Sequence, residues 1–313
     1  MLISVCICTH NRAGSLGETL SCLSRATVPS GAKWEVIVVN NGSSDATEEV
    51  LADFASRMPL RIVRESKLGL SHARNAAVRV SEGDIVVWTD DDVLVSPGWL
   101  EAYHNTSLAY PDHAIFGGPI VPHFREQPPR WLREGIQSVP GAFALRDLGA
   151  NPLEIQVGQE PYGANFAVRG PLQRELVFDS NLGRVGSDGG LLGEETTLVR
   201  QLLETGVRGR WVPEALVHHV IPPERQTLAY LRGYYRMAAV SGTSTDEISV
   251  PRILGFPRWM LRSYVEHSLA YLVTRATLPS SVWLRHFARK EALRGALSAR
   301  RHWPSRHLPS TGS

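Results

Sequence analysis

An α/β fold on a mainly parallel sheet, with helices on both faces, is what the first part of the chain predicts. From residue 1 to about 120, short β-rich runs alternate with segments of helical period. The runs Val36–Val39 (VIVV) and Ile85–Trp88 (IVVW) are almost uniformly apolar, as strands are when both faces are covered. Polar clusters follow three of the runs, at the end where open α/β sheets bind ligands: Thr9-His10-Asn11-Arg12, Asn40-Asn41-Gly42-Ser43-Ser44-Asp45 and Asp90-Asp91-Asp92.

The elements follow in order. Strand Ile3–Thr9 precedes helix Ser15–Arg25, and Glu35–Asn40 precedes Asp45–Arg57, where Asp45 and Glu48 sit at capping spacing. Leu60–Val63 then leads to helix Leu70–Val80, and Asp84–Thr89 to Pro97–Tyr110. Residues 121–160 carry Pro and Gly without a clear period, which predicts loops. Gly163–Arg169 reads as another strand, and a glycine-rich stretch, Asn181–Gly193, leads into helix Glu194–Thr205, stopped by Gly206. Trp211–Val220 reads as a last short strand. These runs suggest one two-part domain, residues 1–120 and 121–225, followed by an extension over 226–313.

The 33 Lys+Arg and 31 Asp+Glu give a net charge of +2, which excludes a nucleic-acid binder relying on overall positive charge. That value hides an asymmetry. Residues 252–313 hold 11 basic and 2 acidic residues, net +9, leaving 22 basic and 29 acidic residues, net −7, in the body. Seven aromatics accompany the tail's charges: Phe256, Trp259, Tyr264, Tyr271, Trp283, Phe287 and Trp303. Helical spacing of Tyr264, Val265, Leu269 and Leu272, and a second amphipathic stretch from Trp283 to Arg301, admit two readings. One is an interfacial helix on an anionic inner leaflet; the other is packing against the body or a second copy, with the arginines solvated.

Cys6, Cys8 and Cys22 cannot build a disulfide framework and predict a reducing, cytoplasmic setting. Cys6 and Cys8 face one way on a strand without a second pair to complete a zinc site, so they read as packing residues. The start MLISVCICTHNR lacks the features of a secretory signal, and the most apolar stretch, Ser268–Leu284, is interrupted by Arg275 and Pro279. Neither a GxGxxG after the first strand nor a GxxxxGK[ST] is present, which argues against an NAD-binding Rossmann domain and a P-loop ATPase.

Two acidic clusters carry the chemistry. Along an extended strand Asp90 and Asp92 point to one side and can share a hard divalent cation; the competing reading is an acidic loop capping the helix near Pro97. Glu194 and Glu195 open a helix, whose dipole favours their ionised form, and a carboxylate there can serve as a general base; acidic residues also suit a first helical turn for structural reasons alone.

SVCICTHNR, VIVVNNGSSD, LGLSHARNAA and TDDD in order, followed by YGANFAVR, GEETTLVRQLLETG and VHHVIPPER, resemble the family 2 glycosyltransferases. The resemblance implies the GT-A fold, a Rossmann-like mixed, mainly parallel sheet flanked by helices, here with a C-terminal helical extension. It implies that Thr9, Asn11, Arg12, Asn40 and Asn41 hold the nucleotide base, and that the segment of Arg74 and Asn75 borders the nucleotide and helps position the acidic motif; an exposed helix arginine is the competing reading, with Lys67 as the alternative partner for the diphosphate. Asp90 and Asp91 fall at the nucleotide, with Asp90 bonding the ribose or an arginine, and Asp92 coordinates Mn2+ or Mg2+. Its base is Glu195, with Glu194 as the alternative, and His219 is a metal or diphosphate ligand rather than a structural histidine. The chain departs from the family pattern twice, with Asn40 in place of aspartate and Glu-Glu in place of Glu-Asp.

The function implied is an inverting, metal-dependent transfer of a sugar from a nucleoside diphosphate, UDP foremost, to an acceptor hydroxyl in polysaccharide or glycolipid biosynthesis. The acceptor would be a glycan, a lipid-linked, peptide or small-molecule hydroxyl. The tail over 252–313 would meet the inner membrane face or a second copy. A non-catalytic nucleotide-sugar-binding protein and a nucleotidyltransferase are the alternatives.

Overall fold

The computed structural model describes every residue except 181–182, 186–188, 192, 242–251, 254–255 and 302–313. Trp303 and part of the stretch Asn181–Gly193 lie outside the described residues. In chain order the elements begin β1 (Leu2–Thr9), α1 (Ala13–Leu23), β2 (Lys33–Asn40), α2 (Thr47–Ala55), β3 (Leu60–Arg64), α3 (Leu70–Val80) and β4 (Ile85–Asp90). They continue with β5 (Val93–Val95), α4 (Trp99–Ala109), β6 (Ile115–Gly117), β7 (Ile120–His123), α5 (Arg130–Gly135), β8 (Glu154–Ile155), β9 (Phe166–Arg169) and α6 (Gly170–Glu175). After β10 (Gly183–Val185) and β11 (Gly189–Leu191) come α7 (Glu194–Glu204), β12 (Gly209–Trp211), β13 (Val217–Val220) and α8 (Leu228–Ser241). The last are β14 (Arg252–Ile253), β15 (Phe256–Pro257), α9 (Arg258–Thr277) and α10 (Ser280–Arg301).

The chain divides into two compact units: Met1–Gln127 with Phe143–Pro222, and Pro128–Ala142 with the residues from Pro223 onward. The first unit is built on an eight-stranded sheet of order β3-β2-β1-β4-β9-β6-β12-β8. The β1, β2, β3 and β4 ladders are parallel, and β9 runs antiparallel between β4 and β6. Alternation along β1 sends Ile3, Val5 and Ile7 into one apolar layer with α1, α2 and α4. Cys6 faces the other layer with Ile37, Val39, Val86 and Trp88, beneath Ala73, Ala76 and Ala77 of α3. Burial pushes the Cys6 and Cys8 thiols up, consistent with packing residues. Because the chain leaves β1 for β2 and returns to β4 on its other side, the strand order reverses at β1, the switch point at whose carboxyl end open α/β sheets bind ligands.

Helix Leu70–Val80 has the bounds its pattern predicts, and α7 ends before Gly206, whose φ of +90° suits a helix-ending glycine. Three expectations change. Trp211–Val220 is two strands: a turn at Val212–Ala215 containing Pro213, which lacks a donor, separates β12 from β13, which lies between β5 and β7 in a second sheet. The stretch read as loops contains β7, α5 and β8; β7 tolerates Pro122 at the edge of its sheet. Finally, Pro128–Ala142 groups with the second unit, where Trp131 meets the Trp283 ring and Ser138 donates to the Ser281 carbonyl at 2.7 Å.

In that second unit α10 packs on α5, α8 and α9, around Tyr271, Trp283, Leu284 and Phe287. Glu291, 2% exposed, accepts from Arg236 at 2.8 Å. The other face of α9 is different: Val265, Leu269, Leu272 and Val273 are each more than half exposed at helical spacing.

Candidate functional site

The loops after β1 and β2 are tied to each other before any ligand is considered. Asn11, at φ 52°, accepts from the Ser44 amide at 2.7 Å through Oδ1, and its own amide donates to Ser43 Oγ at 2.9 Å. His10 Nδ1 lies 2.7 Å from the Asn41 carbonyl. Asp45 joins the starts of two helices, accepting from Ala13 N at 3.0 Å and Thr47 N at 3.2 Å. Glu48, expected at a cap, turns instead to Arg64 and Asn40.

Asn40 is buried, with its carbonyl accepting from Ser43 N at 2.9 Å and its amide donating to Glu48 at 2.7 Å. An aspartate here would face Glu48 as a like charge, so this neighbour supplies a physical reason for asparagine. Asn41 is equally buried and uses both N–H groups on the carbonyls of Glu65 and Lys67, while its own carbonyl accepts from Gly69 N. It shapes the wall that carries the exposed Lys67 side chain.

At the head of β4, the extended geometry expected for the triplet ends at Asp90; Asp91 and Asp92 form a turn into β5. Strand alternation therefore does not set their directions. The capping alternative fails as well, since α4 starts after Gly98 without a side-chain cap. Asp91 is held by Thr9 Oγ1 at 2.7 Å and by Arg12 Nη1 at 3.0 Å, and the same Arg12 nitrogen reaches Asp92 Oδ2 at 2.7 Å. Burial pushes the Asp91 carboxyl up to about 7 against the pull of Arg12, and burial followed by Asp92 raises Asp90. Burial works against the charge of Arg12, but Asp91 and Asp92 hold its guanidinium above the ordinary arginine value.

His219, on β13, brings a nitrogen to this cluster. Its Nδ1 sits 2.6 Å from the Phe143 carbonyl, which can only accept, so Nδ1 carries the proton. In the neutral ring Nε2 then presents a lone pair, 3.3 Å from Asp92 Oδ1, with both side chains buried. Bonds from nitrogen and oxygen to a divalent cation run about 2.1 Å, so the two atoms can reach one ion, and a backbone carbonyl on the far nitrogen is how metal-bound imidazoles are commonly oriented. Among the described residues no group of three or more His, Cys, Asp or Glu side chains is arranged to hold a metal, so this pair fits an ion that takes its remaining donors elsewhere.

The second acidic cluster stands at the start of α7. Gly193, at φ +96°, turns the chain so that Glu194 and Glu195 enter the helix side by side. Arg74 Nη1 donates to Glu194 Oε1 at 2.8 Å and to Glu195 Oε2 at 3.2 Å, and Gly163 N donates to Glu195 Oε1 at 3.2 Å. Burial, partly opposed by Arg74, pushes the Glu194 carboxyl up to about 7. The Glu194 side chain is 4% exposed and that of Glu195 14%, which leaves Glu195 the more accessible. Asp90 lies in reach of both clusters, feeling the charges of Asp92, Arg74, His219 and Glu195.

Thr9, Arg12, Asp91, Asp92 and His219 are thus brought together, and Glu194, Glu195 and Arg74 form a second group. Arg74 is buried in contact with the glutamates and is not the exposed helix arginine of the competing reading. Asn75 binds the backbone of Phe178 at both ends and serves packing. Sequence reasoning missed the Phe143 carbonyl, which has no residue-type signal, and Gly163, for which a glycine opening an apolar run was the available hint.

The sequence model of the glycosyl transferase family 2 matches residues 4–162, just over half of the chain. The succinoglycan biosynthesis protein ExoM of Rhizobium meliloti (strain 1021) is 30% identical over 234 residues, 73% of this chain and 70% of that protein. A validoxylamine A glucosyltransferase of Streptomyces hygroscopicus subsp. jinggangensis (strain 5008) is 28% identical over 153 residues, 48% of this chain and 36% of the relative. The mannosyltransferase PcManGT from Pyrobaculum calidifontis, solved with GDP-Man and Mn2+, shares the fold at a TM-score of 0.58 and 20% identity, over 97% of this chain and 87% of that one. On the family model, which matches over half of the chain, and the 30% identical relative that covers 73% of it, the chain belongs to glycosyl transferase family 2, and it has the GT-A fold.

Proposed function

We propose that the protein is an inverting, metal-dependent glycosyltransferase that moves a sugar from a nucleoside diphosphate sugar, UDP-linked foremost, to an acceptor hydroxyl. The observation that carries this reading is the pair of largely buried groups, Asp92 with His219 and Glu194 and Glu195 with Arg74, whose charges both act on Asp90. The first group suits donor binding and the second suits proton acceptance.

Asp92 Oδ1 and His219 Nε2 would hold the cation, which when bound offsets the negative charge of the departing diphosphate. Glu195 accepts the proton of the acceptor hydroxyl as its oxygen forms a bond to the anomeric carbon. The bond from that carbon to the diphosphate oxygen breaks, and the electron pair leaves with the nucleoside diphosphate. Attack on the face opposite the leaving group gives inversion. The UDP preference is supported by Asn40: Glu48 takes its amide, so its carbonyl faces the loop and retains a lone pair for a base N–H. The relative named for succinoglycan biosynthesis supports a glycan or lipid-linked glycan as acceptor.

Purified full-length protein, assayed with a panel of UDP- and GDP-sugars and Mn2+ for nucleoside diphosphate release, tests the reading. Turnover of a UDP-sugar, abolished by EDTA and restored by Mn2+ or Mg2+, is expected; turnover insensitive to EDTA overturns the metal role, and GDP-sugar turnover alone overturns the base preference.

The exposed face of α9 favours an anionic lipid surface as partner for the second unit. Val265, Leu269, Leu272 and Val273 form its apolar stripe, with Arg258 and Arg262 exposed toward one end of the helix and Arg285 and Arg289 exposed on α10. A second copy would bring equal positive charge to this face, whereas anionic lipid complements it. No described helix is long and apolar enough to cross a membrane, so the contact would be peripheral. Full-length protein is expected to co-sediment with phosphatidylglycerol-containing vesicles, weakly with pure phosphatidylcholine, and with neither after Leu269→Asp/Leu272→Asp. Absence of binding, or dimers broken by the same pair of substitutions, overturns it.

A further inference from the structure

Arg74 is a buried cation among aromatic rings and carboxylates. It sits on α3 at 3% exposure, with its guanidinium 5.9 Å from the Trp88 ring centroid and 5.4 Å from that of Phe178. A charge taken out of water in this way persists only if it is paired, and the partners are the two glutamates 120 and 121 residues further along the chain. Each oxygen of the Glu195 carboxylate has a donor: Arg74 Nη1 for Oε2 and Gly163 N for Oε1. The glycine is fitted to the arginine as well. A Cβ at Gly163 would lie 2.2 Å from Arg74 Nη2, so only a residue without a side chain both admits the guanidinium and offers its amide to Glu195.

We infer that Arg74 is a positioning residue for the proton acceptor Glu195, and that Gly163 completes a two-sided clamp which fixes the plane of that carboxylate. A carboxylate held by one donor on each oxygen cannot rotate about its last side-chain bond, yet keeps a lone pair on each atom for an incoming hydroxyl proton. Glu194 takes the other contact of the same guanidinium nitrogen and anchors it from the buried side. The inference rests on the reading of Glu195 as the base and adds to it the residue that aims it.

Arg74→Lys is the test, because it keeps the charge and loses the planar guanidinium whose Nη1 is held beside the Trp88 and Phe178 rings within reach of both glutamates. For the nucleotide sugar that turns over in the panel, kcat is expected to fall about 100-fold, with donor KM and the Kd of UDP in the presence of Mn2+ changing less than about twofold. Gly163→Ala, which pushes the guanidinium aside, is expected to give the same split. A crystal structure of the Arg74→Lys protein supplies a readout independent of turnover: Glu195 Oε1 should leave hydrogen-bond distance of the Gly163 amide. Weaker UDP binding with unchanged kcat would return Arg74 to the nucleotide, and an unmoved carboxylate with unchanged kcat would remove it from the mechanism. Glu195→Gln, measured in parallel, separates the two levels. If it retains kcat, the base assignment itself falls; if it is inactive while Arg74→Lys matches wild type, only the clamp falls.

Discussion

Arg12 and Arg74 do similar work in opposite surroundings. Each places one nitrogen between two carboxylates, Asp91 and Asp92 for Arg12, Glu194 and Glu195 for Arg74. The Arg12 side chain is 36% exposed and reaches in from a loop; that of Arg74 is 3% exposed, springs from a helix and lies beside the Trp88 and Phe178 rings. A counter-ion on a loop, half in water, can share or yield its carboxylate to an arriving cation. One walled into the core cannot, and becomes part of the scaffold.

The largest expected effects strike the carboxylates these arginines serve. Asp92→Ala and Glu195→Gln should each lower kcat by roughly 1000-fold, consistent with loss of electrostatic stabilisation for the first and of a general base for the second. Steady-state rates with saturating donor check this, and near wild-type activity in either removes that cluster from catalysis.

Stability separates the arginines themselves. Arg74→Ala leaves two buried glutamates without their cation and should cost about 3–5 kcal/mol in urea denaturation, while Arg12→Gln should cost about 1 kcal/mol or less. Equal losses would break the contrast. Smaller again is the effect of Arg12→Gln on Mn2+ affinity, followed by electron paramagnetic resonance. Removing a charge that competes for Asp92 should tighten binding about fivefold, the equivalent of the ~1 kcal/mol between unit charges 4 Å apart in water. Weaker binding would mean that Arg12 assists the cation rather than standing in for it.

The pH dependence sharpens the acceptor side. Burial first, then Glu195, sets the Glu194 carboxyl at about 7 in the folded protein against the pull of Arg74. Since that value is above the unfolded one of about 4.3, the unfolded chain releases this proton first, and the group's contribution to stability declines as pH rises from about 4 to about 7. Glu194→Gln should remove that decline, gaining on wild type by up to ~3 kcal/mol between pH 4 and pH 8 in urea titrations. A parallel pair of curves would show that Glu194 stays ionised throughout.

What could be read from the residues was what is local. Apolar alternation and helical period placed β1 to β4, the helices between them and α4 within a few residues but not the three-residue β5, because a strand or helix is largely specified by neighbours one to four positions away. The polar clusters at strand ends were legible for the same reason, each being contiguous in the chain. The partner of Arg74 was not legible, since its pairing joins α3 to α7 across 120 residues and an arginine on a helix carries no mark of what it faces. Nor was the turn at Asp91–Asp92, where bonds to Thr9 and Arg12 in the β1 loop override the extended pattern of VVWTD. His219 was placed by resemblance, but its useful nitrogen is selected by the Phe143 carbonyl, 76 residues away.

The three hydrogen-bonding groups of Asn41 have a consequence for how a turnover would be timed. By holding Glu65, Lys67 and Gly69, this one side chain fixes the wall that carries Lys67 without help from a ligand. A wall already in place does not have to be ordered when the donor enters or reopened when the nucleotide leaves.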